Sequence, residues 1–305
     1  MSPASCLAMY CLVVIVASLA GGWLPAIVEI THRRLQVLVS VVAGLMLGVA
    51  LYHLLPHAAE HLGSFETAVS WMMIGLLTTF FMLRSFHAHH HGAMQPPHAD
   101  EQACAGLTVI QPHEHAEETC GHGHVHGQRG VSWMGVAAGL SLHTLIDGFA
   151  LGAAVFADAD EGPLPMFAGL GTFLAVALHK PLDSLSITTL MQSQGWPVRT
   201  RQLANLAYAA ICPIGAVLFA LGAEHSGAKG SLVIGAGLAF AAGAFLCIAL
   251  SDLLPEVEYH SHDRLLLSAA LLTGVALAVF LGRFEPHEHG HTHDDHSHAH
   301  EHHSH

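Results

Sequence analysis

The sequence predicts an all-α polytopic membrane protein with eight transmembrane helices in an inverted 3+2+3 repeat arrangement. Three observations carry that expectation: too little charge for a water-facing surface, eight apolar segments of spanning length, and an internal repeat on helices that run in opposite directions. Hydrophobic residues make up 52% of the 305 and charged residues only 11%, with a mean hydropathy of +0.48. A soluble domain carries about 25% charged residues, so most of this chain has to face lipid. The formal charge of −13 is concentrated in loops and tail, and no basic patch offers itself to nucleic-acid phosphates.

A spanning helix needs about 20 mostly apolar residues. Eight segments qualify, at 6–28, 36–58, 66–86, 132–156, 164–192, 202–223, 231–255 and 264–283. The first has no Lys or Arg ahead of it and so lacks the positive n-region of a signal peptide, which makes it the first span. The sixth and seventh are rich in Gly and Ala, as suits close helix packing in lipid. The chain divides into a first three-helix repeat (1–86), a His-rich loop (87–131), a central helix pair (132–192), a second three-helix repeat (199–283) and a His-rich tail (284–305).

The loop and the tail account for much of an unusual count, 29 histidines against 10 Lys plus Arg. Ten of them lie between Glu285 and His305. Both segments are of low complexity and are expected to be disordered. Their imidazoles bind zinc, nickel or copper weakly and without selectivity, so the tail is expected to scavenge metal and the loop to receive or sense it; solvated spacers are the alternative. Of six cysteines, Cys6, Cys11, Cys212 and Cys247 fall in apolar runs and read as packing residues. Cys104 and Cys120 lie in the His-rich loop, where they either ligate metal or do nothing.

Charge distribution sets the orientation. With both termini outside, Arg33, Arg34, Arg84, Arg129, Arg199, Arg201 and Arg264 fall in inner loops, Lys229 and Arg283 fall outside, and Lys180 lies within a span. The positive-inside rule then favours outer termini and a cytoplasmic His-rich loop, in a plasma or inner membrane.

The internal repeat pairs GLMLGVALYHLLPHAAEH (Gly44–His61) with GAFLCIALSDLLPEVEYH (Gly243–His260). Without gaps the two share Gly, Leu, Ala-Leu, Leu-Leu-Pro and the final His. They fall on the second and seventh spans, five apart, and therefore run oppositely through the bilayer. That is the mark of an inverted-topology repeat, whose halves flank a site near the midplane. Alternating access follows naturally from it, which favours a transporter over an enzyme or receptor.

The fourth and fifth spans carry ionisable residues that a lipid-embedded helix avoids. His143 and Asp147 occur in LSLHTLIDGFALG; His179, Lys180 and Asp183 occur in VALHKPLDSLS. Each His–Asp pair is spaced i, i+4 and shares one helix face. A charge at mid-bilayer costs about 2.5–3.5 kcal/mol or more, so a cluster of them is expected to solvate something. Two imidazoles and two carboxylates suit a four-coordinate zinc ion. The plain alternatives are a hydrogen-bonded core His and an Asp183 that serves only as counter-ion to Lys180. Pro181 removes a backbone N–H and disturbs the helix one turn back.

These features together resemble the ZIP family of zinc and iron transporters: eight spans, a long His-rich loop after the third, HxxxDGxALG on the fourth, HKxxD on the fifth, and LLP on the second and seventh. The resemblance runs from about residue 6 to 283. It implies that two three-helix repeats enclose the central pair and that His143, Asp147, His179 and Asp183 are metal ligands. It further implies that Met46, in GLMLG, can add a soft ligand. Where many members have Asn after the fourth-helix His, this chain has Thr144, and Asp147 and Asp183 replace Glu. Lys180 occupies the position that bridges two metals in some members; its ammonium implies one metal rather than two.

The substrate implied is a divalent metal ion, zinc first, taken up toward the cytoplasm; the same ligand set admits Fe2+, Mn2+, Co2+, Ni2+ and Cd2+. No cofactor is required. The partners are the metal and the lipid bilayer, with no nucleic acid, and a homodimer is left open. His53 and His57 near the outer end of the second span, and Asp252 and Glu256 near the inner end of the seventh, are pathway candidates. A cation diffusion facilitator also uses two HxxxD pairs, but with six spans and a folded cytosolic domain. An intramembrane metallohydrolase needs a general base, commonly in HExxH, and no apolar span of this sequence carries that motif. A metal sensor without flux is the remaining alternative.

Overall fold

A computed structural model describes residues 2–27, 31–87, 133–161, 167–227, 230–259 and 264–282. The His-rich loop from residue 88, with Cys104 and Cys120, and the tail from residue 283 lie outside the described residues. Regular structure among the described residues is entirely helical. The elements are α1 (Pro3–Ile27), α2 (His32–Val49), a π-helical turn (Ala50–Leu54), α3 (Leu55–Leu62), α4 (Phe65–His87), α5 (Trp133–Glu161), α6 (Leu170–Ser193), α7 (Val198–Ala209), α8 (Ile211–His225), α9 (Gly230–Tyr259) and α10 (Arg264–Leu281).

Among the described residues, seven helices are long and apolar enough to cross a membrane. They include Arg33–Leu62, where α2 runs through the π turn into α3, and Val198–His225, where α7 runs into α8. The expected fifth span corresponds to α6, which is not among the seven. Its 24 residues span about 36 Å at 1.5 Å per residue, so its length suffices. It is polarity that sets it apart: His179, Lys180, Asp183 and a run of Ser and Thr lie within it. The helix begins at Leu170, later than its apolar segment does, because Gly169 precedes it with φ +68°.

Local chemistry explains the π turn. Pro56 has no N–H to give to the carbonyl four residues back, and its ring crowds that carbonyl. The ladder widens just ahead of it, so that Leu55 N–H bonds to the Ala50 carbonyl. Pro181, by contrast, is accommodated inside α6 without ending it.

The surface inverts the soluble pattern. Leu12, Val16, Phe81, Leu203, Ile214, Leu265 and Leu272 are exposed, as lipid contact requires, while the interior is built of Ala, Gly and a few large residues such as Leu45, Leu238 and Phe245. With lipid as solvent, helices associate through close packing rather than exclusion from water. The most extensive pairings are α2 with α10, α4 with α9, α5 with α8, and α1 with α6. Glycines bring their backbones together: a Cβ on Gly44 would strike the Leu271 carbonyl, one on Gly243 the Met72 carbonyl, and one on Gly148 the Cys212 carbonyl.

Gly243→Val is therefore expected to cost about 1–3 kcal/mol or more through overpacking, seen as a lower unfolding temperature in detergent. Gly222→Ala, at a position with nothing within 4 Å, leaves that temperature unchanged.

Candidate metal centre

Helices α5 and α6 lie side by side in the bundle, and each presents its i, i+4 His–Asp pair to the other. One ligand atom from each of His143, Asp147, His179 and Asp183 lies within 4.8 Å of the other three. His143 Nε2 is 3.5 Å from Asp147 Oδ2 and 3.8 Å from Asp183 Oδ2. His179 Nε2 is 3.2 Å from Asp147 Oδ2 and 3.8 Å from Asp183 Oδ2. Bonds of 2.0–2.2 Å to a tetrahedral ion place ligand atoms about 3.3–3.6 Å apart, so these four atoms already approximate such a shell. Asp147 is fully buried, and His143 and His179 are nearly so.

The backbone orients one imidazole. His179 Nδ1–H donates to the Ala175 carbonyl at 2.8 Å, which leaves the lone pair on Nε2 directed into the cluster. Its approach to Asp147 Oδ2 is then a meeting of two acceptors. The Lys180 ammonium resolves it, donating to Asp147 Oδ2, to His179 Nε2 at 3.2 Å and to Asp183 Oδ2 at 2.9 Å. Lys180 is itself buried, and Thr144 Oγ1 accepts from it at 3.2 Å. Asp183 is thus counter-ion to Lys180, as its i, i+3 spacing suggests, and a member of the cluster as well.

Tyr208 of α7 completes the arrangement. Its hydroxyl donates to Asp183 Oδ2 at 3.0 Å and accepts from Thr144 Oγ1 at 2.5 Å. Sequence reasoning missed it: a single Tyr in NLAYAA carries no spacing signal, and membrane proteins often place Tyr at the interface. Asp158 was missed too, since ADADEG at the end of a span reads as a wet loop.

An 860 Å³ cavity leads to the cluster, with Met46, His143, His179 and Asp183 along its wall. Arg84, Ser186 and Ser251, all exposed, mark its outer reach. Met46 thus shares the cavity with the ligand set.

The pathway candidates fall elsewhere. His53 Nε2 bonds to the Ala278 carbonyl at 2.7 Å. His57 Nδ1 lies 3.1 Å from Asp158 Oδ1, and Asp158 Oδ2 accepts the Gly169 N–H at 2.7 Å. Both histidines are buried. Asp158 lies eleven positions after Asp147 on α5, about 16 Å along the axis. Asp252 and Glu256 lie on α9, and their side chains fall outside the described residues.

Apolar spans around a buried His/Asp cluster define the class: an integral membrane protein with an interior site suited to a cation. Residues 6–282 match the family model described as ZIP zinc transporter, and the chain belongs to that family. It is similar to zinc transporter ZIP9 of Micropogonias undulatus, 24% identical over 279 residues that cover 85% of this chain and 87% of that protein. It is similar also to zinc transporter ZIP10 of Homo sapiens, 25% identical over 227 residues, 67% of this chain and 25% of that protein. A third relative, zinc transporter foi of Drosophila melanogaster, is 30% identical over 159 residues, 51% of this chain and 20% of that protein.

Tyr208→Phe removes the hydroxyl that holds Asp183 and is expected to weaken metal binding by about 10–100-fold, the range for loss of a partner behind a ligand. Calorimetric titration of the purified protein in detergent measures it.

Proposed function

We propose that this chain carries divalent metal ions, zinc first, across the membrane toward the cytoplasm through one mononuclear site. His143, Asp147, His179 and Asp183 are its ligands, with the Met46 thioether available as a soft addition, and no cofactor is involved. The observation that carries this reading is the convergence of four donor atoms within 4.8 Å at the wall of a cavity, inside a member of a zinc transporter family. The relatives' names support zinc, whereas the N/O ligand set alone also accommodates Fe2+, Mn2+, Co2+, Ni2+ and Cd2+. The Lys180 ammonium, retained beside the site, favours a single ion.

An eight-span inverted repeat, with α6 as the eighth crossing, is supported by a regularity in the close contacts. Gly44 meets the Leu271 carbonyl; 199 residues after Gly44, Gly243 meets Met72, which precedes Leu271 by the same 199. Gly75 meets the Phe240 carbonyl and Gly274 meets that of Val41, again at an offset of 199. Around the central pair, Gly21 meets the Pro181 carbonyl and Gly215 that of Leu145. Pro181 and Leu145 differ by 36, the interval that separates His179 from His143. Exchanging the first and sixth, second and seventh, third and eighth, and fourth and fifth spans therefore maps these contacts onto one another.

On this reading the cluster lies between interchangeable halves, as alternating access demands. Orientation with both termini outside rests on the arginine distribution. Under it, the cavity beside Arg84 faces inward and the packed end with His53 and His57 faces outward.

Metal flux into liposomes is expected for the wild type and is abolished by His143→Ala with His179→Ala. Undiminished flux in that double variant, or no flux in correctly inserted wild type under either gradient, contradicts the proposal. Crystals soaked in Cd2+ are expected to hold one full-occupancy ion at the centre, and two ions a few Å apart would overturn the single-metal assignment.

A further inference from the structure

Lys180 occupies an unusual position even for a site-lining residue. Its Nζ contacts three of the four atoms that form the metal shell, and the two carboxylates are among them. An ammonium so placed stands where the cargo would stand. It also has a second seat at the edge of the cluster: Thr144 Oγ1 at 3.2 Å, and beyond it the Tyr208 ring, whose centroid is 6.0 Å from Nζ.

We propose that the Lys180 ammonium is a tethered substitute for the metal ion, holding the ligands when the carrier is empty and yielding to the metal when it is loaded. This rests on the metal site proposed above. The lysine keeps its proton throughout, and only the position of its charge changes. On loading, Nζ leaves Asp147, Asp183 and His179 and retires to Thr144 and the face of Tyr208, while the divalent ion takes the vacated centre.

Charge counting gives the device a purpose. Asp147 and Asp183 together carry two negative charges and Lys180 one positive charge. The empty site therefore bears one net negative charge, and the loaded site one net positive charge. Without the lysine, the empty site would bear two negative charges and the loaded site none. Uncompensated charge inside a bilayer is expensive, and like-charged carboxylates in low dielectric repel strongly. The lysine thus lets the empty carrier reorient, at the expense of weaker metal binding.

The test separates the loaded half-cycle from the empty one. Radioactive zinc exchange against saturating zinc needs only the loaded carrier to move; net uptake needs the empty carrier to return. Both are measured on the full chain in liposomes, with zinc binding measured in detergent as the difference from the His143→Ala, His179→Ala double variant, which subtracts zinc held by the His-rich segments. Lys180→Met is expected to bind zinc about tenfold or more tighter, to keep exchange within about threefold of wild type, and to lose net uptake by about tenfold. Lys180→Gln, also uncharged, is run in parallel so that a folding failure of either leaves the comparison standing. Lys180→Arg, which retains a cation, is expected to recover net uptake. Unchanged or weaker binding in the neutral variants, a parallel fall of exchange and net uptake, or no recovery with arginine would overturn the proposal. Exchange that survives in the histidine double variant would instead overturn the metal site itself, whatever the lysine variants do.

Discussion

Two carboxylates and two imidazole nitrogens converge at the centre of a bundle whose outer surface is apolar. Acceptors brought together in such a medium repel one another unless a cation sits among them. The bundle meets that requirement from within its own chain, by folding Lys180 into the cluster. Everything nearby is consistent with the need: His179 is turned by the Ala175 carbonyl so that its lone pair points inward, and Tyr208 secures the outer carboxylate. A cluster built this way is stable only with positive charge in it, and a cavity of 860 Å³ reaches it. A cluster of this kind suits a mobile cation, which is the role proposed for it.

The scaffold holds four side chains from two helices to within ångströms, and lipid offers no hydrophobic drive to do so. Backbone contact at glycines supplies the precision instead. Gly148 against Cys212 and Gly215 against Leu145 lock α5 to α8 at the level of the ligands, while Gly21 against Pro181 does the same for α1 and α6. Each helix of the central pair is thereby braced by a helix outside the pair. On the proposed alternating-access reading, relative movement of these supports exposes the pair to one end of the bundle or the other.

Much of this is legible in the sequence because helical periodicity makes it so. An i, i+4 spacing puts His143 with Asp147, and His179 with Asp183, on single faces, and two such faces in apolar spans announce a common target. The Gly44 and Gly243 segments announce their relation through Leu-Leu-Pro at matching register. What is not legible is contact across helices with no spacing of its own. Lys180 is readable as a partner of Asp183 three residues on, but its hold on Asp147 depends on how α5 and α6 pack. Tyr208 and Asp158 have no local signature at all. The π turn before Pro56 sits between these cases, since proline predicts a disturbed ladder without saying whether it kinks, breaks or widens. At Pro181 the same residue type leaves α6 continuous, so local sequence alone does not decide the response.

The most direct measurement is zinc K-edge X-ray absorption on protein loaded with one equivalent of metal, compared with the same protein carrying His143→Ala and His179→Ala. A four-coordinate shell of nitrogen and oxygen at about 2.0–2.1 Å, with outer-shell scattering from two imidazole rings that disappears in the double variant, is expected. Imidazole scattering that persists unchanged in the double variant would place the metal on other histidines, and the buried cluster would then lack the role assigned to it.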